Sequence, residues 1–169
     1  MGDEELAAPG DLEHLRRFVN TRDLELGTDT LHTWFDRAED LERAVELREA
    51  FRALLLSNAT GAPPPAAALH TIERIGRRAT LRVDGDLRLL PAADAQLARL
   101  LAIAAAAKAD GTWLRLKACP GDACHWALYD RTRSRTRTWC AAAKCGARTR
   151  SREYRRRRRS TGTSSPDTR

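Results

Sequence analysis

The spacing of four cysteines is the feature that most constrains how this 169-residue chain can fold. Four residues separate Cys119 from Cys124, four separate Cys140 from Cys145, and fifteen lie between the two pairs. Two such pairs can place four thiolates tetrahedrally around one Zn²⁺. Five positions along a regular helix correspond to a rotation of roughly 140°. We therefore expect one member of the second pair in a turn before a helix and the other in the first turn of that helix.

Other chemistry for these cysteines stays open at this stage. Met1–Gly10 is acidic and lacks the features of a secretory signal, so we expect a cytosolic setting, where clustered cysteines are more often metal ligands than disulfides. Two disulfides or an iron–sulfur cluster are the alternatives, and a redox pair is disfavoured because neither spacing is two residues. His125 directly follows Cys124, and we interpret it as a neighbouring polar side chain. Four thiolates leave no position for water, so a structural zinc is expected, one per chain.

Charge is divided unevenly along the chain. Residues 1–112 contain 14 Lys/Arg against 19 Asp/Glu, whereas residues 113–169 contain 16 against 4. Such polarisation is typical of nucleic-acid binding, although a solvated basic tail would give the same counts. Between the cysteine pairs, arginine alternates with Ser or Thr, which in an extended segment would put four guanidinium groups on one side: Arg131, Arg133, Arg135 and Arg137. Beyond Cys145, a basic helix candidate carries Arg148, Arg150, Arg152 and Arg155.

The hydrophobic pattern predicts an α+β fold that is mostly helical before residue 113. Helices are predicted over residues 11–20, 39–56, 66–77 and 92–109, with a shorter one around Leu31, Trp34 and Phe35. Residues 80–83 and 87–89 alternate around Asp84-Gly85, which favours a tight hairpin, and residues 113–117 are predicted as a strand. The predicted domains are residues 1–112, an α+β regulatory domain with a core of its own; 113–159, a zinc finger with a basic helix; and 160–169, a disordered tail. No apolar run of 18 residues is present, so no membrane span is expected.

The C-terminal motifs resemble the CGNR zinc finger of bacterial transcription regulators. The resemblance rests on the two cysteine pairs, the stretch 125–130, Trp139-Cys140 and Cys145-Gly146-Ala147-Arg148. It departs at Ala147, where the family has Asn, at His125, where Gly is usual, and at Thr138, where a second Arg is common. The N-terminal half is similar to the stress-induced transcription regulator (ABATE-like) domain that precedes this finger, with the stretch 18–22 near its start. A treble-clef-like or ribbon-like finger is implied.

The resemblance implies a DNA-binding transcription regulator in the cytoplasm, associated with the nucleoid. Arginine forks match phosphate oxygens, so the arginines named above are the candidate contacts to double-stranded DNA, and an RNA- or ribosome-associated module is the alternative. By family analogy, Asn20 and Arg22 are candidates for binding a small-molecule effector, although a helix C-cap would explain Asn20 equally well; a homodimer is also open. Trp126 and Trp139 are expected to pack around the knuckle. The four histidines are scattered, so no enzyme activity is expected.

Overall fold

The structure is a computed structural model that describes residues 3–87, 89–91, 96–141, 145–147, 151 and 154–155. Helices account for most of its regular structure: α1 Leu12–Val19, α2 Ala38–Thr60, α3 Ala66–Gly76 and α4 Gln96–Ala109. Single turns of 3₁₀ helix occur at Asp3–Leu6, Leu31–Trp34 and Trp113–Arg115. Short antiparallel strand pairs complete the described part: β1 Arg22–Asp23 with β2 Thr28–Asp29, β3 Leu81–Val83 with β4 Leu89–Pro91, and β5 Leu116–Ala118 with β6 Ala127–Tyr129.

The long helix α2 is the centre of the fold. It packs against α3, α1 and β5. Its buried face includes Leu47, Phe51 and Leu55, which recur every four residues. The helix ends at Gly61, whose φ of +73° is the left-handed conformation that glycine adopts without steric cost, and whose N–H donates to the carbonyl of Ser57 at 2.8 Å. The helix thus extends one turn past the predicted end at residue 56.

One hydrophobic core runs across the predicted boundary at residue 112. Side chains of α1, α2 and α4 pack in one cluster with Trp113, Leu116, Ala118, Ala127 and Tyr129. Leu116 and Ala127 are fully buried. The expectation that the helices form a core of their own is therefore wrong, because the hairpin β5–β6 lies in the same core. The domain boundaries themselves stay a prediction.

The predicted helices and hairpins are present with shifted ends. The start of the helix predicted at residue 92 and the tail after 159 lie outside the described residues. Val45, an apolar residue in the helix predicted over 39–56, is 39% exposed and does not lie on its buried face. The strand predicted from Trp113 begins only at Leu116, because a 3₁₀ turn comes first. No helix in the described ranges has the length and apolarity needed to cross a membrane.

The hairpin β3–β4 forms, but its predicted tight turn is wrong. Val83 pairs with Leu89, so the connection spans residues 84–88 and the second strand starts two residues late. The carboxylate of Asp84 accepts the N–H of Asp86 at 3.0 Å, and its carbonyl accepts the N–H of Leu87 at 3.0 Å. The second bond closes a turn over residues 84–87, centred one residue later than Asp84-Gly85, and Leu87 takes a φ of +61° at its end.

Candidate metal centre and arginine segment

The four cysteines converge on one point. Their Sγ atoms all lie within 4.8 Å of one another, and the sulfurs of Cys124 and Cys145 are each 3.5 Å from that of Cys140. Zn–S bonds of about 2.3 Å in a tetrahedron place sulfurs about 3.8 Å apart, so these separations fit one zinc ion. Disulfide sulfurs would be about 2 Å apart, and all four cysteines are free.

The first cysteine pair occupies the turn of the hairpin β5–β6. Cys119 follows β5 directly, and its N–H donates to the carbonyl of Trp126 at 3.0 Å. The N–H of Cys124 donates to the carbonyl of Gly121 at 2.8 Å, which closes a tight knuckle between the two ligands. A Cβ on Gly121 would lie 3.4 Å from the Cβ of Cys124 and 3.7 Å from the sulfur of Cys119, so the knuckle has little spare space.

The second cysteine pair occupies the predicted turn and helix start. Cys140 lies in a bend, and Cys145 is helical, with its N–H donating to the carbonyl of Ala141 at 2.9 Å. The expectation from the five-residue spacing is thus confirmed. A knuckle at a hairpin and a second pair at a helix start match the treble-clef-like arrangement implied by the resemblance.

The electrostatics of the bare thiols favour a bound cation. The hydrogen bond with Cys119 and its charge raise the pKa of Cys124 to about 12, and the same neighbour raises the pKa of Cys140. One thiolate thus suppresses ionisation of the neighbouring thiol when no cation neutralises its charge. Zn²⁺ supplies that charge and displaces the thiol protons, so four clustered thiols fit a zinc site whose binding stabilises the fold.

Apolar packing around the cysteines comes from both ends of the chain. Leu6, Leu128, Trp126 and Trp139 pack against the four cysteines in a small cluster separate from the main core. Leu128 is fully buried. The tryptophans therefore pack at the knuckle, as expected. His125 is outside the sulfur cluster, which confirms the interpretation that it is not a ligand.

Side chains of α1 and α2 attach the hairpin to the helices. Asn20 donates its amide to the carbonyl of Ala127 at 2.9 Å and accepts the N–H of Ala127 at 2.7 Å. Arg52, only 4% exposed, donates to the carbonyl of His125 at 3.0 Å and to that of Val19 at 2.7 Å. The guanidinium of Arg52 thus joins the residue after a zinc ligand to the end of α1.

Asn20 and Arg22 differ in their environment. Asn20 is the C-cap of α1, and both polar groups of its side chain are used by Ala127, so it has the structural role that was the alternative to effector binding. Arg22 is exposed and lies 3.5 Å from a carboxylate oxygen of Asp29. The polar groups of the Asn20 side chain are therefore already engaged, and the guanidinium of Arg22 already faces a carboxylate.

A buried ion pair holds the segment that follows β6. The ammonium of Lys117 lies 2.8 Å from the carboxylate of Asp130, and their side chains are 7% and 0% exposed. The same ammonium donates to the carbonyls of Arg135 at 2.6 Å and Arg137 at 2.9 Å. Burial alone would raise the pKa of Asp130, but hydrogen bonds from Lys117 and Thr132 lower it overall. Residues 131–137, the arginine segment, therefore close around one cation.

The arginine segment is not an extended strand. Residues 133 and 134 form a turn, the N–H of Arg135 donates to the carbonyl of Thr132 at 3.3 Å, and Arg135 has a φ of +56°. The prediction of four guanidinium groups on one side of an extended segment is therefore wrong. The cause is Lys117, since its three acceptors require the chain to curl around the ammonium.

Two of the four arginines in this segment are bound to the protein. Arg137 contacts Glu5 at 3.0 Å and donates to the carbonyl of Cys140 at 3.1 Å. Arg131 donates to the carbonyl of Ala7 at 3.2 Å. Both arginines thus fasten the N-terminal residues to the arginine segment, and Arg137 also reaches a cysteine of the metal centre.

The other two arginines are uncovered. Arg133 and Arg135 are exposed, and their guanidinium groups form no hydrogen bond or ion pair with any residue that the structure describes. Of the later candidates, Arg148, Arg150 and Arg152 lie outside the described residues. Arg155 is exposed and helical, and its Nε donates to the carbonyl of Ser151 at 3.2 Å.

Several residues of this region were missed by sequence reasoning. Lys117 and Asp130 carry no pattern that reveals a buried pair, because they are thirteen residues apart, one within β5 and the other just after β6. Arg48 and Arg52, in contrast, follow a recognisable pattern. They come after Ala44 at four-residue steps on the buried face of α2. Charged residues at such positions indicate buried hydrogen bonding.

The fold and the thiolate cluster define a zinc-finger protein with a helical N-terminal half. The family model of the CGNR zinc finger matches residues 115–158. The ABATE model, described as Putative stress-induced transcription regulator, matches residues 2–111, which is more than half of the chain. The protein therefore belongs to the ABATE family, with a CGNR zinc finger at its C-terminal end. No curated protein matches the chain.

Proposed function

We propose that the protein is a transcription regulator that binds double-stranded DNA through its zinc finger, at the nucleoid in the cytoplasm. The observation that carries the proposal is the pair of uncovered guanidinium groups, Arg133 and Arg135, on a segment fixed by the zinc ligands and by Lys117. Because the backbone of this segment is already held, less conformational freedom is lost when its exposed arginines contact phosphates. No catalytic role forms part of the proposal.

The charge of the finger supports a polyanionic partner. Residues 131–159 contain thirteen Lys or Arg and one acidic residue, so an exposed helix after Cys145 would extend the same positive surface. Arginine can bind two phosphate oxygens at once and can pair with guanine in the major groove. Arg131 and Arg137 have structural partners, so we assign phosphate contact first to Arg133, Arg135 and the arginines beyond Cys145.

The test is a titration of labelled duplex DNA with the purified full chain at several salt concentrations. With about six phosphate contacts, log affinity should fall against log salt with a slope of roughly −5. The double variant Arg133→Gln/Arg135→Gln should bind about tenfold more weakly and reduce the slope by about 2.

The matched control is Arg77→Gln/Lys108→Gln, which removes the same charge from exposed positions on α3 and α4. It should bind DNA almost as well as the unmodified chain. Equal losses in both double variants would mean that net charge alone attracts DNA, and would contradict an interface at the arginine segment. Structured RNA that competes better than duplex DNA would favour an RNA-binding module instead.

A further inference from the structure

A cavity of about 850 Å³ lies in the N-terminal half, away from the cysteines. It opens between α1, the start of α2, the end of α3, the β3–β4 hairpin and the start of α4. None of its lining residues belongs to the chain beyond Arg99. The volume is in the range of sites that hold small organic ligands. Asn20 and Arg22, the effector candidates from family analogy, are not among its lining residues.

Positive charge dominates the cavity wall. Six arginines and two aspartates line it. Three of the arginines form ion pairs: Arg43 with Asp40, Arg74 with Glu46, and Arg99 with Asp11. The other three, Arg37, Arg78 and Arg82, are exposed and have no hydrogen bond or ion pair from their guanidinium groups to the described residues. Three uncompensated guanidinium groups around one concave site favour an anionic ligand.

Part of the cavity wall is aromatic and apolar. Trp34 and Phe35 are half-buried and line the cavity together with Leu97. The ring of Trp34 is fixed by His14, at 4.8 Å between ring centroids, and by Phe18, at 5.9 Å. A fixed indole beside an open cavity suits a flat apolar group.

His14 adds a polar atom to this wall. Its Nε2 is buried and has no hydrogen-bond partner in the described part of the chain. Burial and the charge of Arg99 lower the pKa of His14, while Gln96 and Asp11 lie near enough to oppose that shift. The lowered pKa favours the neutral ring, in which one nitrogen donates and the other accepts a hydrogen bond.

We propose that this cavity binds a small aromatic anion, with its acidic group held by Arg78 and Arg82 and its ring packed against Trp34. The acidic group is a carboxylate or a phosphate monoester, since both accept paired hydrogen bonds from guanidinium. The site is independent of the proposed DNA interface, so its failure would leave that proposal standing.

Calorimetric titration of the full chain with four probes tests the site. Naphthalene-2-carboxylate and 2-naphthyl phosphate should bind, and the stronger of the two identifies the acidic group. Neutral 2-naphthylmethanol lacks the charge and inorganic phosphate lacks the ring, so both should bind at least about tenfold more weakly. Equal binding of the neutral probe, or no heat from either aromatic anion at millimolar concentration, would overturn the proposal.

Single substitutions in the cavity wall test where the aromatic anion binds. Arg78→Gln and Arg82→Gln should each weaken binding of the better aromatic anion about tenfold, since each removes one charged hydrogen-bonding group, and neither guanidinium has a partner among the described residues to lose. Arg77→Gln is the matched control: Arg77 adjoins Arg78, pairs with Glu73 and does not line the cavity. Unchanged affinity in the Arg78 and Arg82 variants, or an equal loss in the Arg77 variant, would place the anion elsewhere.

Discussion

Buried guanidinium groups replace apolar side chains at several points of the core. Arg48, 1% exposed, donates to both carboxylate oxygens of Asp29, at 2.7 and 2.8 Å, and to the hydroxyl of Thr21 at 3.0 Å. Its Nε–H donates to the carboxylate of Glu49 at 2.9 Å. Such a buried charge is tolerated only because each hydrogen bond is made, so loss of one partner is costly.

The first prediction concerns Asp29. The hydrogen bonds from Arg48 hold the pKa of Asp29 at about 2, against an ordinary value of 3.8. A lowered folded-state pKa stabilises the fold above about pH 4, and this contribution is lost as the pH falls towards 2. In urea unfolding, Asp29→Asn should be less stable by about 2 kcal/mol at pH 7, with the difference shrinking between pH 4 and pH 2.

Asp36→Asn is the control for that series, because Asp36 is exposed and has no ion pair with a described residue. It should change stability little at any pH. A constant difference between the unmodified chain and Asp29→Asn from pH 5 to pH 2 would show that the Asp29 carboxylate does not carry this stability.

The second prediction concerns the ion pair under the arginine segment. Asp130→Asn leaves the ammonium of Lys117 buried without a full counter-charge, which costs about 3 kcal/mol. The N–H groups of Thr132 and Arg137 also lose a charged acceptor. Urea unfolding at pH 7 should show the loss, and a change below about 0.5 kcal/mol would contradict the buried pair.

At the scale of elements, the attachment of β6 to α1 joins the two halves of the chain. The third prediction is that Asn20→Ala destabilises the protein by about 2 kcal/mol, because it leaves the N–H of Ala127 unpaired in a buried strand and its carbonyl with only the longer bond from Arg16 at 3.4 Å. Hydrogen exchange should become faster at Ala127. Asn20→Asp keeps the acceptor and should preserve the protection of that N–H; equal exchange in all three proteins would contradict the attachment.

The sequence predicted the elements better than their contacts. Apolar periodicity located α1 to α4, and the cysteine spacing located the metal ligands, because both patterns are local. The longer β3–β4 turn depends on side-chain bonds of Asp84, and the curl of the arginine segment depends on Lys117. The Asn20–Ala127 pairing joins residues 107 positions apart. No local pattern encodes contacts of that kind.

At the scale of the molecule, the zinc site is an extension of the helical core. The hairpin that carries Cys119 and Cys124 is anchored through Leu116 and Ala127 in the main cluster, and the second cysteine pair joins it through the metal, the small apolar cluster and the bond from Arg137 to the carbonyl of Cys140. Loss of zinc should therefore loosen the second pair, while α2, β5 and the part of the arginine segment that Lys117 holds stay packed.

The most direct test of this account is the zinc content of the purified full chain, measured by elemental analysis against protein concentration. We expect one zinc per chain, and less than about a tenth of that in Cys119→Ser, whose missing thiolate leaves three ligands. A chain with reduced cysteines that takes up no zinc when Zn²⁺ is supplied would contradict the central claim, and so would full zinc content in Cys119→Ser.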